Sequence, residues 1–215
     1  MRGDALARRQ VADLLTLRGS LDPAFDLLQR DVLPTFERLG DTQERAVTLG
    51  KIVDVMTRRG TLEDARQLLE EEVLPALMAL GDRLNHARSM GQLAQIRGAL
   101  GEHAEADRIL AEDVIPPLLA LGETRDLALM QTQRAQGLTK LGRAEEAVVM
   151  LREAVLPTFE RLNDRVDLAQ ARLILAVALL TRGSPGDSDA VPALLRSVHE
   201  EAVALNLSAV EYHSR

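Results

Sequence analysis

The segment Pro-Thr-Phe-Glu-Arg-Leu occupies residues 34–39 and recurs unchanged at 157–162. A Val-Leu-Pro or Val-Ile-Pro triplet recurs every 41 residues and ends at Pro34, Pro75, Pro116 and Pro157. Glycines recur with the same spacing at Gly19, Gly60, Gly101, Gly142 and Gly183. Self-similarity at a fixed period of this length is typical of repeat architectures, so the 41-residue unit is taken as the structural unit.

The period divides the chain into five units and a short tail. Their approximate boundaries are 1–40, 41–81, 82–122, 123–163 and 164–206, with a tail at 207–215. Because each unit can bury its apolar side only against a neighbour, we expect residues 1–215 to form a single repeat domain.

Each unit is predicted to form two helices. In the second unit, Leu49, Ile52 and Met56 fall on one side of a helix with about 3.6 residues per turn, and polar side chains fall on the other. Gly60 is expected to end this helix in the left-handed conformation, and a second helix follows. Because no useful stretch alternates with period two, the predicted fold class is all-α.

The composition excludes several classes of function. The 26 basic and 33 acidic residues give a net charge of −7, which argues against a general affinity for nucleic acid. The chain has no Cys, so thiol catalysis, disulfides and thiolate metal sites are ruled out. Phosphate-binding loops and the usual metal-ligand and hydrolase motifs are missing from the sequence. We therefore expect no enzymatic activity, no cofactor and no metal.

The hydropathy pattern argues against a membrane span. The longest uncharged apolar run is 173–180, only eight residues, whereas a membrane helix needs about 20. The N-terminus is charged and lacks an apolar stretch of signal-peptide length. A cytoplasmic location is therefore predicted.

The pattern of small residues resembles the tetratricopeptide repeat (TPR) family. A small residue in the first helix and an alanine in the second keep the same separation in three units, at Val53 and Ala65, Ala94 and Ala106, and Ala135 and Ala147. The unit is longer than that family's 34 residues, and the extra length falls late in the second helix, where the repeated proline is expected to cause a kink. The resemblance implies a right-handed α-solenoid of about five helix pairs.

The resemblance further implies a groove lined by the first helix of each unit, which we call helix A. We use "helix-A surface" for twelve polar residues there: Arg9, Gln10, Asp13, Lys51, Asp54, Arg58, Arg88, Gln92, Gln95, Gln133, Gln136 and Lys140. Most are cationic or neutral, which predicts a local reversal of sign on an acidic protein. We expect this surface to bind a peptide or helix of a partner protein.

Three alternatives stay open at this stage. Lys51, Arg88 and Gln92 partly resemble a clamp for a peptide's terminal carboxylate, although Asp54 opposes that role. The chain also resembles regulatory TPR components of bacterial signalling or defence systems, which act on a separate effector. Finally, each polar residue of helix A also fits an ordinary solvated helix face.

The fifth unit differs from the others because its helix A is apolar on all sides. Leu173, Ile174, Val177 and Leu180 replace the polar or small residues of earlier units. Such a helix is expected to be covered on both sides. The cover could be the chain's own tail acting as a cap, a second copy in a homo-oligomer, or a partner.

Overall fold

The computed structural model describes residues 1–204, and these residues form ten helices and no strand. The odd-numbered helices are helices A of the five units: α1 Arg2–Leu17, α3 Thr42–Arg59, α5 Arg83–Ala99, α7 Thr124–Lys140 and α9 Arg165–Arg182. The even-numbered helices, helices B, are α2 21–39, α4 62–80, α6 103–121, α8 144–162 and α10 Asp187–Ala204. The predicted helix pairs and all-α fold are confirmed.

Aspartates begin three of the helices A. The side chains of Asp41, Asp82 and Asp164 accept a hydrogen bond from the backbone N–H three residues later, at 3.2, 3.1 and 3.3 Å. This N-cap satisfies one of the amide groups that a helix start leaves without a partner. At the other end of α3, Gly60 has φ +83°, which confirms the predicted left-handed termination.

An arginine from the preceding helix A reaches two of these caps. Arg2 Nε lies 2.9 Å from Asp41 Oδ2. The same pair recurs three repeats later, where Arg125 Nε lies 2.8 Å from Asp164 Oδ2. The Glu44 amide hydrogen bond lowers the pKa of Asp41; burial opposes this shift, and Arg2 adds to it. The cap and the ion pair therefore both favour the ionised carboxylate.

Helices α2, α4, α6 and α8 each contain one π-helical turn just before the repeated proline. The four turns are Leu28–Val32, Leu69–Val73, Leu110–Val114 and Leu151–Val155. In the first, the Leu33 N–H donates to the Leu28 carbonyl, five residues back. The predicted extended second helix is confirmed, but the expectation of a simple kink is incomplete, because a widened turn precedes the proline.

The core of each helix B explains the wide turn. In α2, Ala24, Leu28, Val32 and Phe36 follow at four-residue intervals, and each is at most 1% exposed. Four residues overshoot an α-helical turn by about 40°, so three such steps in a regular α-helix would rotate Phe36 about 120° away from Ala24. A π turn takes more residues per turn and corrects this drift. The four side chains therefore reach one core.

The described helices group into two compact units. Met1–Glu102 contains α1 to α5, and the second unit begins at His103 and contains α6 to α10. In the first, Leu28, Phe36 and Leu77 are fully buried; in the second, Leu151, Phe159 and Leu118 are fully buried at the equivalent repeat positions. That the whole chain forms a single domain stays a prediction.

Candidate functional site

Within Met1–Glu102, polar contacts join the helix-A surfaces of successive repeats. Lys51 Nζ lies 3.0 Å from Asp13 Oδ1, which connects α3 to α1. The Gln92 side-chain amide donates to the Gly50 carbonyl at 3.1 Å, which connects α5 to α3. These contacts place the predicted residues of three successive helices side by side, in the register set by the 41-residue period.

Several of the predicted cations are neutralised by carboxylates. Arg9 forms an ion pair with Glu44 at 2.6 Å, and the two side chains are only 16% and 19% exposed. Arg58 pairs with Asp54 on its own helix at 3.2 Å, and Lys51 pairs with Asp13. The expected local reversal of sign is therefore wrong for these three cations. Sequence reasoning missed Glu44 because its pairing depends on the distance between two helices.

Most other residues of the helix-A surface are open to solvent. In the compact unit Met1–Glu102, Gln10, Arg88 and Gln95 are exposed. In the compact unit that begins at His103, Gln133 is half-buried on α7, whereas Gln136 and Lys140 are exposed. Among residues 1–204, no hydrogen bond or ion pair engages the side chain of Gln136 or of Lys140. These two side chains can therefore meet a ligand without breaking a contact within the described chain.

Helix α9 presents an apolar face beside α7 in the second unit. Leu173 and Ile174 are half-buried, whereas Val177 and Leu180 are 51% and 59% exposed. The expectation that this helix is covered on both sides is not met by residues 1–204. The predicted capping tail, 207–215, lies outside the described residues.

Comparison with known proteins identifies the fold. No protein-family model matches the chain, and no curated protein matches it significantly. Solved structures do match. The nearly identical TPR-like repeats of a putative kinesin light chain from Podosopora anserina share 18% identity over 97% of this chain and 99% of that one, with a TM-score of 0.67. BtubC (BKLC) from P. vanneervenii shares 20% identity over 91% of this chain and 78% of that one, with a TM-score of 0.71.

The chain has a TPR-like repeat fold. Agreement over 97% and 91% of this chain, at TM-scores near 0.7, confirms the solenoid of helix pairs predicted from the 41-residue period. Identities of 18% and 20% carry the fold alone.

Two charged networks within the repeats were missed by sequence reasoning. In the first compact unit, Arg97 pairs with Glu70 at 2.8 Å, and Glu70 also pairs with Arg66 at 2.7 Å. In the second compact unit, Asp107 pairs with Arg134 at 2.6 Å and with Arg143 at 2.7 Å. The aligned repeats could have indicated the first network, because Arg97 stands at a position that is apolar in the other four repeats: Leu15, Met56, Leu138 and Leu179.

Metal-ligating side chains are scattered in the part of the chain that the structure covers. No group of three His, Asp or Glu side chains there lies close enough to hold a metal ion. None of the helices at 1–204 is long and apolar enough to cross a membrane. Absence of a metal, of a cofactor and of catalysis stays a prediction.

Proposed function

We propose that this TPR-like chain is a non-catalytic interaction module that binds a peptide or segment of a partner protein on its helix-A surface. The observation that carries the proposal is the pair Gln136 and Lys140 on α7, whose side chains are exposed and have no polar partner among residues 1–204. An amide that both donates and accepts hydrogen bonds is suited to the backbone of an extended peptide. The ammonium group of Lys140 adds affinity for a carboxylate.

The neighbouring helix supports a partner of mixed character. Val177 on α9 occupies the repeat position of Gln136, and it is half exposed. Exposed apolar side chains beside unpaired polar ones are the usual composition of a protein-binding surface. The preferred partner segment therefore carries an apolar side chain next to an acidic or amide group.

The compact unit Met1–Glu102 offers fewer free polar side chains for binding a partner. Arg9, Asp13, Lys51 and Gln92 already take part in contacts between helices, so their first role is to hold successive repeats in register. A carboxylate clamp built on Lys51 would have to break the ion pair with Asp13. We therefore place the main contact with the partner on α7 and α9 rather than on Lys51.

The test is partner binding by a Gln136→Ala/Lys140→Ala double variant. Partners captured from the native host by the unmodified chain are identified, and their affinity is then measured with purified components. We expect about a tenfold loss, because two polar contacts contribute about 1.4 kcal/mol together. An Arg161→Ala variant, exposed on α8, is the control. Unchanged affinity of the double variant would rule out this surface.

Self-association is a second candidate, favoured by the exposure of Val166, Val177 and Leu180 along one stripe of α9. A second copy covering this stripe would remove apolar area from water. Sedimentation at several protein concentrations distinguishes the two. A monomer at all concentrations excludes the homo-oligomer, whereas a dimer that Leu180→Glu dissociates supports it.

A further inference from the structure

A cleft of about 400 Å³ opens between α2, α3 and α4 in the first compact unit. Its floor is apolar and is formed by Phe25, Ile52, Met56 and Leu68. This volume is within the range typical of ligand sites. None of the twelve residues of the helix-A surface lines the cleft, so the cleft is separate from the binding surface proposed above.

The cleft exists because the side chains at two repeat positions do not close it. Phe25 and Met56 are only half-buried, whereas their equivalents three repeats later, Val148 and Leu179, are 1% and 0% exposed. One repeat after Phe25 and Met56, the equivalent positions hold Arg66 and Arg97, which both pair with Glu70. The open apolar floor is therefore particular to the junction of repeats one and two.

The wall formed by α4 carries negative charge. Asp64, Glu71 and Glu72 line the cleft, and all three are exposed. Glu72 pairs with Arg45 at 2.7 Å, and Glu71 accepts a hydrogen bond only from Gln67 within the described chain. Asp64 has no ion-pair partner in the described part of the chain. Asp64 and Glu71 are seven residues apart on α4, which still corresponds to about 10 Å because only the last three of these residues lie in the π turn.

A cation lies beside one of the residues that line the cleft, Phe25. The Arg59 guanidinium lies over the Phe25 ring, 4.8 Å from its centre, and pairs with Asp22 at 2.6 Å. The Phe25 ring of the floor thus tolerates a neighbouring positive charge through a cation–π contact. The apolar floor and the acidic α4 wall together favour a ligand that is apolar in its centre and cationic at its edge.

We propose that this cleft binds an amphipathic basic helix of a partner protein. Its apolar side chains pack on Phe25, Met56 and Leu68, and two Lys or Arg side chains seven residues apart pair with Asp64 and Glu71. Residues seven apart on a helix lie on the same face at the same spacing of about 10 Å. Charge complementarity with an acidic rim favours this occupant over an acidic peptide or a second copy of this acidic chain.

The test uses a synthetic amphipathic leucine–lysine helix as the probe and the Met56 methyl group as the reporter. In the chain labelled at its methionine methyl groups, titration should shift the Met56 resonance. Met78 lies on α4 outside the cleft and is 70% exposed, so its resonance should stay in place. A leucine–glutamate peptide of the same length should not bind.

Two charge reversals at equivalent repeat positions provide the matched control. Glu71→Lys should weaken binding of the leucine–lysine peptide about fivefold or more, because an attraction becomes a repulsion. Glu153→Lys changes the net charge equally at the equivalent exposed position of α8 and should leave the affinity within about twofold. Equal loss in both variants, or an unmoved Met56 resonance at saturation, would overturn the proposal.

Discussion

At the scale of single residues, the repeat positions show where charge has replaced apolar packing. Asp107 and Arg134 occupy positions that Val148 and Leu175 fill in the next repeat, where both are buried. The Asp107 side chain is 12% exposed and the Arg134 side chain 21%. A partly buried ion pair of this kind is costly to break from one side and inexpensive to replace as a whole.

We therefore predict opposite outcomes for a single and a double substitution. Asp107→Val should lower the free energy of unfolding by about 2 kcal/mol, because Arg134 is left partly buried without its carboxylate. Asp107→Val/Arg134→Leu, which copies the next repeat, should recover most of that loss. Urea denaturation measures both. A double variant less stable than the single one would contradict this account.

The same pair illustrates what sequence reasoning can reach at this scale. An arginine at an apolar repeat position is visible in the aligned units and could have been predicted to need a carboxylate. The identity of the paired carboxylate could not have been predicted, because each pair joins two helices. Arg9 pairs with Glu44 in this way, and Lys51 with Asp13. Those meetings depend on helix separations that no spacing in one chain determines, so the helix-A surface was predicted more cationic than it is.

At the scale of the element, the four-residue spacing of the helix B core accounts for its π turn. The same seam occurs in α8, where Ala147, Leu151, Val155 and Phe159 are fully buried. Proline contributes as well, since it lacks an N–H and its ring crowds the carbonyl four residues before it. Extended second helices were predictable from the period. The π turn was also within reach, because its signal is the 4-4-4 spacing itself.

This reasoning predicts the effect of removing one residue from the turn. Deleting Arg30, which is exposed, changes the α2 spacing from 4-4-4 to 4-3-4, which in a regular α-helix brings Phe36 back to within about 20° of Ala24. The deletion alone should cost about 3 kcal/mol, because Pro34 would then lie in an α-helix. Combined with Pro34→Ala it should cost about 1 kcal/mol or less, since the proline clash is then gone.

The opposite change serves as the control for the deletion. Inserting one alanine after Arg30 in the Pro34→Ala background displaces Val32 and Phe36 further from the seam, so it should destabilise the chain by several kcal/mol. Thermal unfolding followed by circular dichroism compares the variants. If insertion and deletion cost the same, the core spacing is not the cause of the π turn.

At the scale of the whole molecule, the account depends on the equivalence of successive 41-residue repeats. The period predicted the number, order and type of the helices at 1–204, and the solved structures that the chain resembles have TPR-like repeats as well. The period could not predict the cleft at α2, α3 and α4, because that cleft arises where one repeat departs from the others.

The most direct test of this equivalence is cysteine cross-linking, since the chain has no cysteine of its own. Gly50 and Gln92 touch between α3 and α5, and a side chain added at Gly50 would lie in ordinary contact with Gln92. Thr132 and Ile174 are the same two positions moved by two repeats. We predict that both pairs, changed to cysteine, form intramolecular disulfides under mild oxidation while the helical circular dichroism is retained. A disulfide in only one pair, or in neither until the chain is unfolded, would contradict the stacking of equivalent repeats.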